Sequence, residues 1–189
     1  METYFMQRDS DEIESLYSAH IKSIRKIFDR ALANHGFDQL LVYSGDFRIR
    51  FLDDTPDPFR VNPYFKFLVP LLQAPKSWVV WRLSEKPLLL YYQPEDLFHP
   101  VSQLPEKSWT NYFDIKILHK PEEAKAYLGR TEHSAFIGEI LSLPVRRSYK
   151  LGGMLEFTDL EHWELGVRNP VGLLSELDWY RAYKTPYEQ

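Results

Sequence analysis

The stretch SDEIESLYSAHIKSIRKIFDRALANHGFDQLLVYS, residues 10–44, changes its apolar period once, and that change indicates the fold class. Its first part has apolar residues every three to four positions, typical of a helix with one buried face. These residues are Ile13, Leu16, Tyr17, Ile21, Ile24, Ile27, Phe28 and Leu32. We predict a helix over 10–34, capped by Ser10 or Asp9 and ended by Gly36. Residues 39–44 then form a short apolar run, typical of a buried strand.

The remainder of the chain continues this mixture of strands and helices. Further strands are predicted over residues 47–52, 65–72, 78–83, 88–92, 113–118 and 134–138. A helix is predicted over 121–128, because Pro121 suits a first helical turn and Gly129 follows. A last helix is predicted to begin at Asn169-Pro170. This order of elements favours a single α/β domain with a mostly buried sheet.

Composition and charge exclude several classes of function. The net charge is −4 and there is no long basic run, so a nucleic-acid partner is not expected. The absence of cysteine removes disulfides, thiolate zinc sites and cysteine nucleophiles. The first twelve residues are too polar for a signal peptide, and no stretch of about 18 apolar residues occurs. We therefore expect a cytoplasmic protein that has no contact with the membrane.

The motifs that carry catalysis are absent from the sequence. None of the six histidines forms a helical pair, and no His-Glu-x-x-His, Gly-x-Ser-x-Gly or P-loop pattern occurs. One acidic cluster, Asp53, Asp54 and Asp57, lies between a predicted strand and a proline-rich loop. It lacks the glycine and glutamate of a calcium-binding loop. From the residues alone it is either a solvated turn or a binding loop.

A resemblance to a known family adds to this interpretation. Residues 51–54 read Phe-Leu-Asp-Asp and residues 58–66 read Pro-Phe-Arg-Val-Asn-Pro-Tyr-Phe-Lys. This resembles the N-terminal domain of bacterial Xaa-Pro dipeptidases (prolidases, including organophosphorus acid anhydrolases), with Arg60 in place of the usual lysine. Residues 16–21, 44–45, 109–118, 137–139 and 180–188 follow the family's order as well. The stretch 141–168 departs from the family, since it is longer than the connection requires.

The resemblance implies a fold, an activity and a domain division. The fold is that of the creatinase/prolidase N-terminal domain: α/β, a single three-layer domain, with a mixed sheet flanked by helices. Residues 1–180 would form this domain, and 181–189 would begin the junction to a C-terminal catalytic domain of the pita-bread fold. In the family, that domain holds two divalent metals, usually manganese, and hydrolyses dipeptides ending in proline. The family resemblance also implies a homodimer.

Asp54 is the candidate site residue that the resemblance supplies. In the family, the second aspartate of Phe-Leu-Asp-Asp reaches the partner subunit's substrate pocket, near the amino end of the dipeptide. A buried ammonium group needs a carboxylate, because an unpaired buried charge is costly. Asp54 matches that position, and we expect it near the surface at a strand end. Asp53 is expected to be structural. We expect no catalytic residue, cofactor or metal in the 189 residues, and no turnover by them alone.

The last residues point to a continuation of the chain. Thr185-Pro186-Tyr187-Glu188 has the pattern of a capping box. From the residues alone it is either the start of a further helix or a fortuitous tetrapeptide in a frayed tail, and the family's junction motif favours the first. We therefore expect that the natural protein continues past Gln189, and that an apolar face of Leu177, Tyr180 and Tyr183 is exposed where the second domain would pack. The alternative is a stand-alone, non-enzymatic module of the same fold that binds peptides or proteins.

Overall fold

The first helix, α1, is longer than predicted. The computed structural model describes residues 2–47, 57–94, 104, 108–129, 133–138, 177 and 184–188, and in it α1 spans Glu2–His35. The predicted cap at Ser10 or Asp9 is therefore wrong. Both residues lie inside the helix, because the residues before them include no proline or glycine that would keep the chain out of the helical conformation.

The end of α1 is confirmed at Gly36. This glycine has φ +67°, in the left-handed region where other residues are strained. Its N–H donates to the Ala33 carbonyl at 3.2 Å, and the N–H of Phe37 donates to the Leu32 carbonyl at 2.9 Å. These two bonds form a Schellman motif, and Leu32 and Phe37, the residues that make its usual apolar contact, are both buried in one apolar cluster.

A mixed five-stranded sheet forms the centre of the domain. The strands are β1 (Gln39–Tyr43), β2 (Trp78–Arg82), β3 (Leu88–Tyr92), β4 (Asp114–Leu118) and β5 (Ser134–Ile137). Their order is β4-β3-β2-β1-β5. β2 runs antiparallel to β1 and to β3, while β5 is parallel to β1 and β4 is parallel to β3.

The predicted strand over 65–72 is wrong, and the one described residue of the predicted strand over 47–52 is not in a strand. The segment 65–72 does not extend as a strand: α2, Pro63–Leu68, occupies its first half. Asn62 caps this helix by accepting the Tyr64 N–H at 2.8 Å, and Pro63 is its first residue. This start signal accounts for a helix in place of the predicted strand. Phe47 lies outside any strand, and residues 48–52 lie outside the described residues.

Alternating side chains of the sheet build two apolar layers. One face carries Leu40, Val42, Val79 and Trp81 toward α1, α2 and a 3₁₀ helix at Ser108–Tyr112. The other face packs on a second 3₁₀ helix, Pro121–Ala124, and the α3 helix that continues it, Lys125–Leu128. The predicted three-layer α/β domain with a mixed sheet is thereby confirmed.

Candidate functional site

The carboxyl ends of four strands lie along one end of the sheet, which we call its carboxyl edge. The strand directions place the last residues of β1, β3, β4 and β5 beside the first residue of β2, where Tyr43 pairs with Trp78 and Trp78 with Leu90. In open α/β sheets, ligands bind outside the carboxyl ends of strands. The segment that follows β1, residues 44–62, starts from this edge and includes the predicted Asp54. We call it the β1 loop.

Ser44 closes the base of the β1 loop. Its N–H donates to the Ser77 carbonyl at 2.9 Å, and its carbonyl accepts the Asn62 N–H at 2.8 Å. Its Oγ accepts the Ser77 N–H at 2.9 Å. Both serines are fully buried, and Ser77 Oγ in turn accepts the Tyr92 N–H at 3.1 Å. One residue therefore ties the two ends of the loop to each other and to the adjacent strands.

Gly45 makes the turn out of β1. Its φ is +105°, which an L-residue rarely adopts, and its carbonyl accepts the Lys76 N–H at 2.8 Å. A methyl group added here would meet the Arg60 carbonyl at 3.6 Å, an ordinary contact distance. Backbone conformation, and not lack of space, therefore accounts for the glycine.

Asp46 and Lys76 form a half-buried ion pair beside this turn. One Asp46 oxygen accepts the Phe47 N–H at 2.7 Å, and the other lies 3.7 Å from Lys76 Nζ. Burial raises the pKa of Asp46 above its ordinary value, and Lys76 and the Phe47 N–H offset only part of that effect. The Lys76 ammonium also lies 5.8 Å from the ring centre of Tyr92. The pair links the beginning of the loop to the β2 side of the sheet.

The base of the loop presents an aromatic pair to solvent. The ring centres of Phe47 and Phe59 are 5.6 Å apart, and Phe47 is 44 % exposed. Asp57 is half-buried near the returning end of the loop. Asp53 and Asp54 lie outside the described residues, so their predicted roles stay predictions. The described residues place both ends of the segment that carries them at the carboxyl edge of the sheet.

A second polar cluster, which we call the His20 cluster, was missed from the sequence. It comprises Tyr17, His20, Phe67, Thr185 and Tyr187. His20 is 2 % exposed; its Nδ1 lies 2.8 Å from Thr185 Oγ1 and its Nε2 lies 2.9 Å from the Phe67 carbonyl. The partners are 165 and 47 residues away, so no local pattern could reveal them.

Tyrosines enclose the His20 cluster. The Tyr17 hydroxyl donates to the Leu68 carbonyl at 2.7 Å, and burial, followed by the nearby Tyr187 and Tyr112, raises the pKa of Tyr17. The ring of Tyr187 lies 5.0 Å from that of Tyr17 and 5.2 Å from that of His20. The residues near the end of the sequence are thereby packed on α1 and α2.

One of the two hydrogen bonds of the predicted capping box at residues 185–188 is present. The Glu188 carboxylate accepts the Thr185 N–H at 2.9 Å. The Thr185 hydroxyl, however, bonds His20 instead of the Glu188 N–H, which donates to the Thr185 carbonyl at 2.9 Å. The Thr185 side chain therefore bonds to α1 through His20, and only the Glu188 side chain makes its capping-box bond.

The prediction that Leu177 is exposed is wrong. Leu177 is 1 % exposed and belongs to the buried cluster between the sheet and α1. Its apolar side chain therefore finds its partners within the domain. Tyr180 and Tyr183, the other members of the predicted exposed face, lie outside the described residues.

In the described part of the chain, no group of three or more His, Cys, Asp or Glu side chains is arranged to hold a metal ion. No described helix is both long enough and apolar enough to cross a bilayer.

Comparison with known proteins gives the same family over most of the chain. The profile of the family described as "Xaa-Pro dipeptidase, N-terminal domain" matches residues 15–151. The chain is 37 % identical over 176 residues to Xaa-Pro dipeptidase 2 of Idiomarina loihiensis, covering 92 % of this chain and 37 % of that protein. It is 38 % identical over 174 residues to the Xaa-Pro dipeptidase of Xanthomonas campestris pv. campestris (strain B100), covering 92 % and 35 %.

A relative from Shewanella amazonensis, also an Xaa-Pro dipeptidase, is 34 % identical over 179 residues, with 94 % and 37 % coverage. The chain thus spans little more than a third of the length of these curated relatives. The matched length, the identity and the three-layer fold agree, and this chain belongs to the Xaa-Pro dipeptidase N-terminal domain family.

Proposed function

We propose that this chain is the non-catalytic N-terminal domain of an Xaa-Pro dipeptidase, that it supports a homodimer, and that its β1 loop lines the partner subunit's substrate pocket. Relatives that match it over at least 92 % of its length are named Xaa-Pro dipeptidases. The single observation that supports the pocket-lining role most is the closed base of the β1 loop. Because Ser44 joins both ends of the loop to the sheet, the loop has a fixed origin at the carboxyl edge.

In this proposal Asp54 supplies the carboxylate that recognises the free amino group of the dipeptide. Such a group is needed where the ammonium is removed from water, since a charge buried without a partner is strongly unfavourable. The ordered base reduces the conformational entropy that the loop would lose on meeting the substrate. The exposed Phe47–Phe59 pair, beside the loop base, supplies apolar area for contact with a second subunit.

The metals of the reaction are proposed to lie in a catalytic domain outside these residues. The described side chains do not fit a metal, since no cluster of three suitable ligands is found among them. In this proposal the chain takes no catalytic step, and its contribution is to bind and enclose the substrate. The dipeptidase as a whole would be a manganese-dependent cytoplasmic hydrolase.

Steady-state kinetics of the two-domain dipeptidase with the substitution Asp54→Ala test this proposal. A hydrogen bond to a charged group contributes about 1.5–3 kcal/mol, so KM is expected to rise on the order of tenfold to a hundredfold, with kcat, metal content and folding nearly unchanged.

The matched control is Glu122→Gln, which removes an exposed carboxylate from the 3₁₀ helix Pro121–Ala124 and is expected to leave KM unchanged. An unchanged KM in Asp54→Ala would show that Asp54 does not bind the amino group, and loss of bound metal would contradict a role confined to that contact.

A further inference from the structure

Only one of the two neutral tautomers of His20 satisfies both ring nitrogens. The Phe67 carbonyl can only accept, so the nitrogen 2.9 Å from it, Nε2, carries the proton. In a neutral ring Nδ1 is then the acceptor, and the Thr185 hydroxyl 2.8 Å away donates to it. In the neutral ring, the two contacts therefore fit the tautomer with the proton on Nε2, in which the Thr185 hydroxyl hydrogen also has a partner.

The surroundings disfavour a charged ring. Aromatic side chains contact it from three elements: Tyr17 from α1, Phe67 from α2 and Tyr187 from the segment 184–188. Tyr17 and Tyr187 are titratable, but burial raises the pKa of both, so they stay neutral below pH 8. Among the described residues Glu188 is the charged group whose field reaches the ring, and its carboxylate already accepts the Thr185 N–H.

We propose that His20 is a latch: its neutral ring holds the segment 184–188 against α1 and α2, and protonation of the ring releases that segment. The released state lets water reach the imidazolium, because Thr185 and Tyr187, which lie against the ring, move away. The proposal does not depend on the dipeptidase assignment. If that assignment is correct, however, the latch sets how firmly the end of the domain is held where the second domain would follow.

The local energetics give the direction of the effect. Protonation turns Nδ1 into a donor, so the Thr185 hydroxyl must become an acceptor and its own hydrogen loses its partner. A cation is also left among aromatic rings without water. Burial lowers the pKa of His20, while the Phe67 carbonyl and Glu188 oppose that shift. Release is therefore favoured as the pH falls below about 6.5, the ordinary value for histidine.

The two hydrogen bonds can be separated by substitution. In His20→Gln the side-chain nitrogen takes the place of Nε2, which keeps the bond to Phe67 and loses the one to Thr185. In His20→Asn the side-chain amide takes the place of Nδ1, which keeps the contact with Thr185 and cannot be protonated. Thr185→Val removes the hydroxyl, and Thr185→Ser retains it.

The test uses the 189-residue chain, with long-range ¹H–¹⁵N NMR of the His20 ring and amide hydrogen exchange, corrected for the intrinsic pH dependence of exchange. We expect the Nε2–H tautomer at pH 7.5. The protection of the Glu188 amide, which donates to Thr185, should fall by up to about tenfold for each pH unit below about 6.5, the ordinary pKa of a released histidine, and should level off below the lower pKa of His20 in the folded chain. The Leu41 amide, in the central strand, is the internal reference and should not change.

The variants make the proposal falsifiable. Glu188 should lose protection at every pH in His20→Gln and Thr185→Val, keep it in Thr185→Ser, and show no pH dependence in His20→Asn. The proposal is overturned by an Nδ1–H tautomer at pH 7.5, by equal Glu188 protection at pH 7.5 and 5, or by loss of Leu41 protection in step with Glu188. No substrate or second domain enters this test, so its outcome is separate from that of the proposed dipeptidase function.

Discussion

The substitution Ser44→Ala tests the closed base of the β1 loop. It removes the Oγ that accepts the Ser77 N–H at 2.9 Å, and Ser77 is fully buried, so that N–H is left without a partner or water. A buried donor left unsatisfied costs about 1–3 kcal/mol. In a chain of this size 1 kcal/mol corresponds to about 2–4 °C in Tm, so we expect Tm to fall by roughly 2–12 °C.

Urea unfolding of the 189-residue chain followed by circular dichroism measures this free energy directly. Ser15→Ala is the matched control: it removes an exposed hydroxyl from α1, and the free energy of unfolding is expected to change by no more than about 0.5 kcal/mol. The m-value should be the same in all three proteins, since the surface exposed on unfolding is unchanged. If Ser44→Ala is as stable as the control, Ser44 does not hold the loop base.

Four further outcomes follow from the same contacts. Burial lowers the pKa of His20 in the folded chain, so unfolding is accompanied by binding of a proton below about pH 6.5. The free energy of unfolding should therefore fall as the pH is lowered through this range, and this fall should be less steep in His20→Asn. Gly45→Ala, at φ +105°, should destabilise the chain by about 1–3 kcal/mol in urea, although the space for a methyl group is present. Gln39→Met should cost about 1–3 kcal/mol, because Gln39 Nε2 donates to the Leu128 carbonyl at 2.6 Å and to Ser134 Oγ at 2.7 Å; equal stability would contradict that network. The dialysed 189-residue chain should contain no stoichiometric manganese or zinc and should not hydrolyse Ala-Pro, and turnover that survives a chelator would contradict the assignment of catalysis to another domain.

The elements that local chemistry specifies could be predicted from the sequence. β1 and β3 form where apolar runs are bounded by turn signals, and the helices that end at Gly36 and Gly129 do so because each glycine adopts a positive φ. The start of α1 was misplaced because a serine or aspartate caps a helix only if the residue before it is not helical. The segment 65–72 was predicted to be a strand, but the Asn62-Pro63 start signal directly before it begins a helix there.

The sites depend on contacts that no local pattern contains. His20 has no metal-ligand spacing, and its role is visible only once the fold brings Phe67 and Thr185 to its two ring nitrogens. Leu177 was expected to be exposed, yet the fold buries it against side chains far away in sequence. For Asp54, the residues alone favoured a solvated turn over a binding loop, and the family resemblance supplied the specific role.

The most direct test of the central claim, that Asp54 acts in the partner's pocket, is subunit complementation. Two-domain subunits carrying Asp54→Ala are mixed with subunits whose metal ligands are replaced, after dissociation and reassociation. If Asp54 acts across the dimer, each mixed dimer restores one complete site, in which an intact catalytic domain meets the partner's Asp54. Random mixing then gives about a quarter of the native activity, with native KM, as expected for a symmetric dimer with two equivalent sites. Activity no higher than that of Asp54→Ala alone would contradict the account.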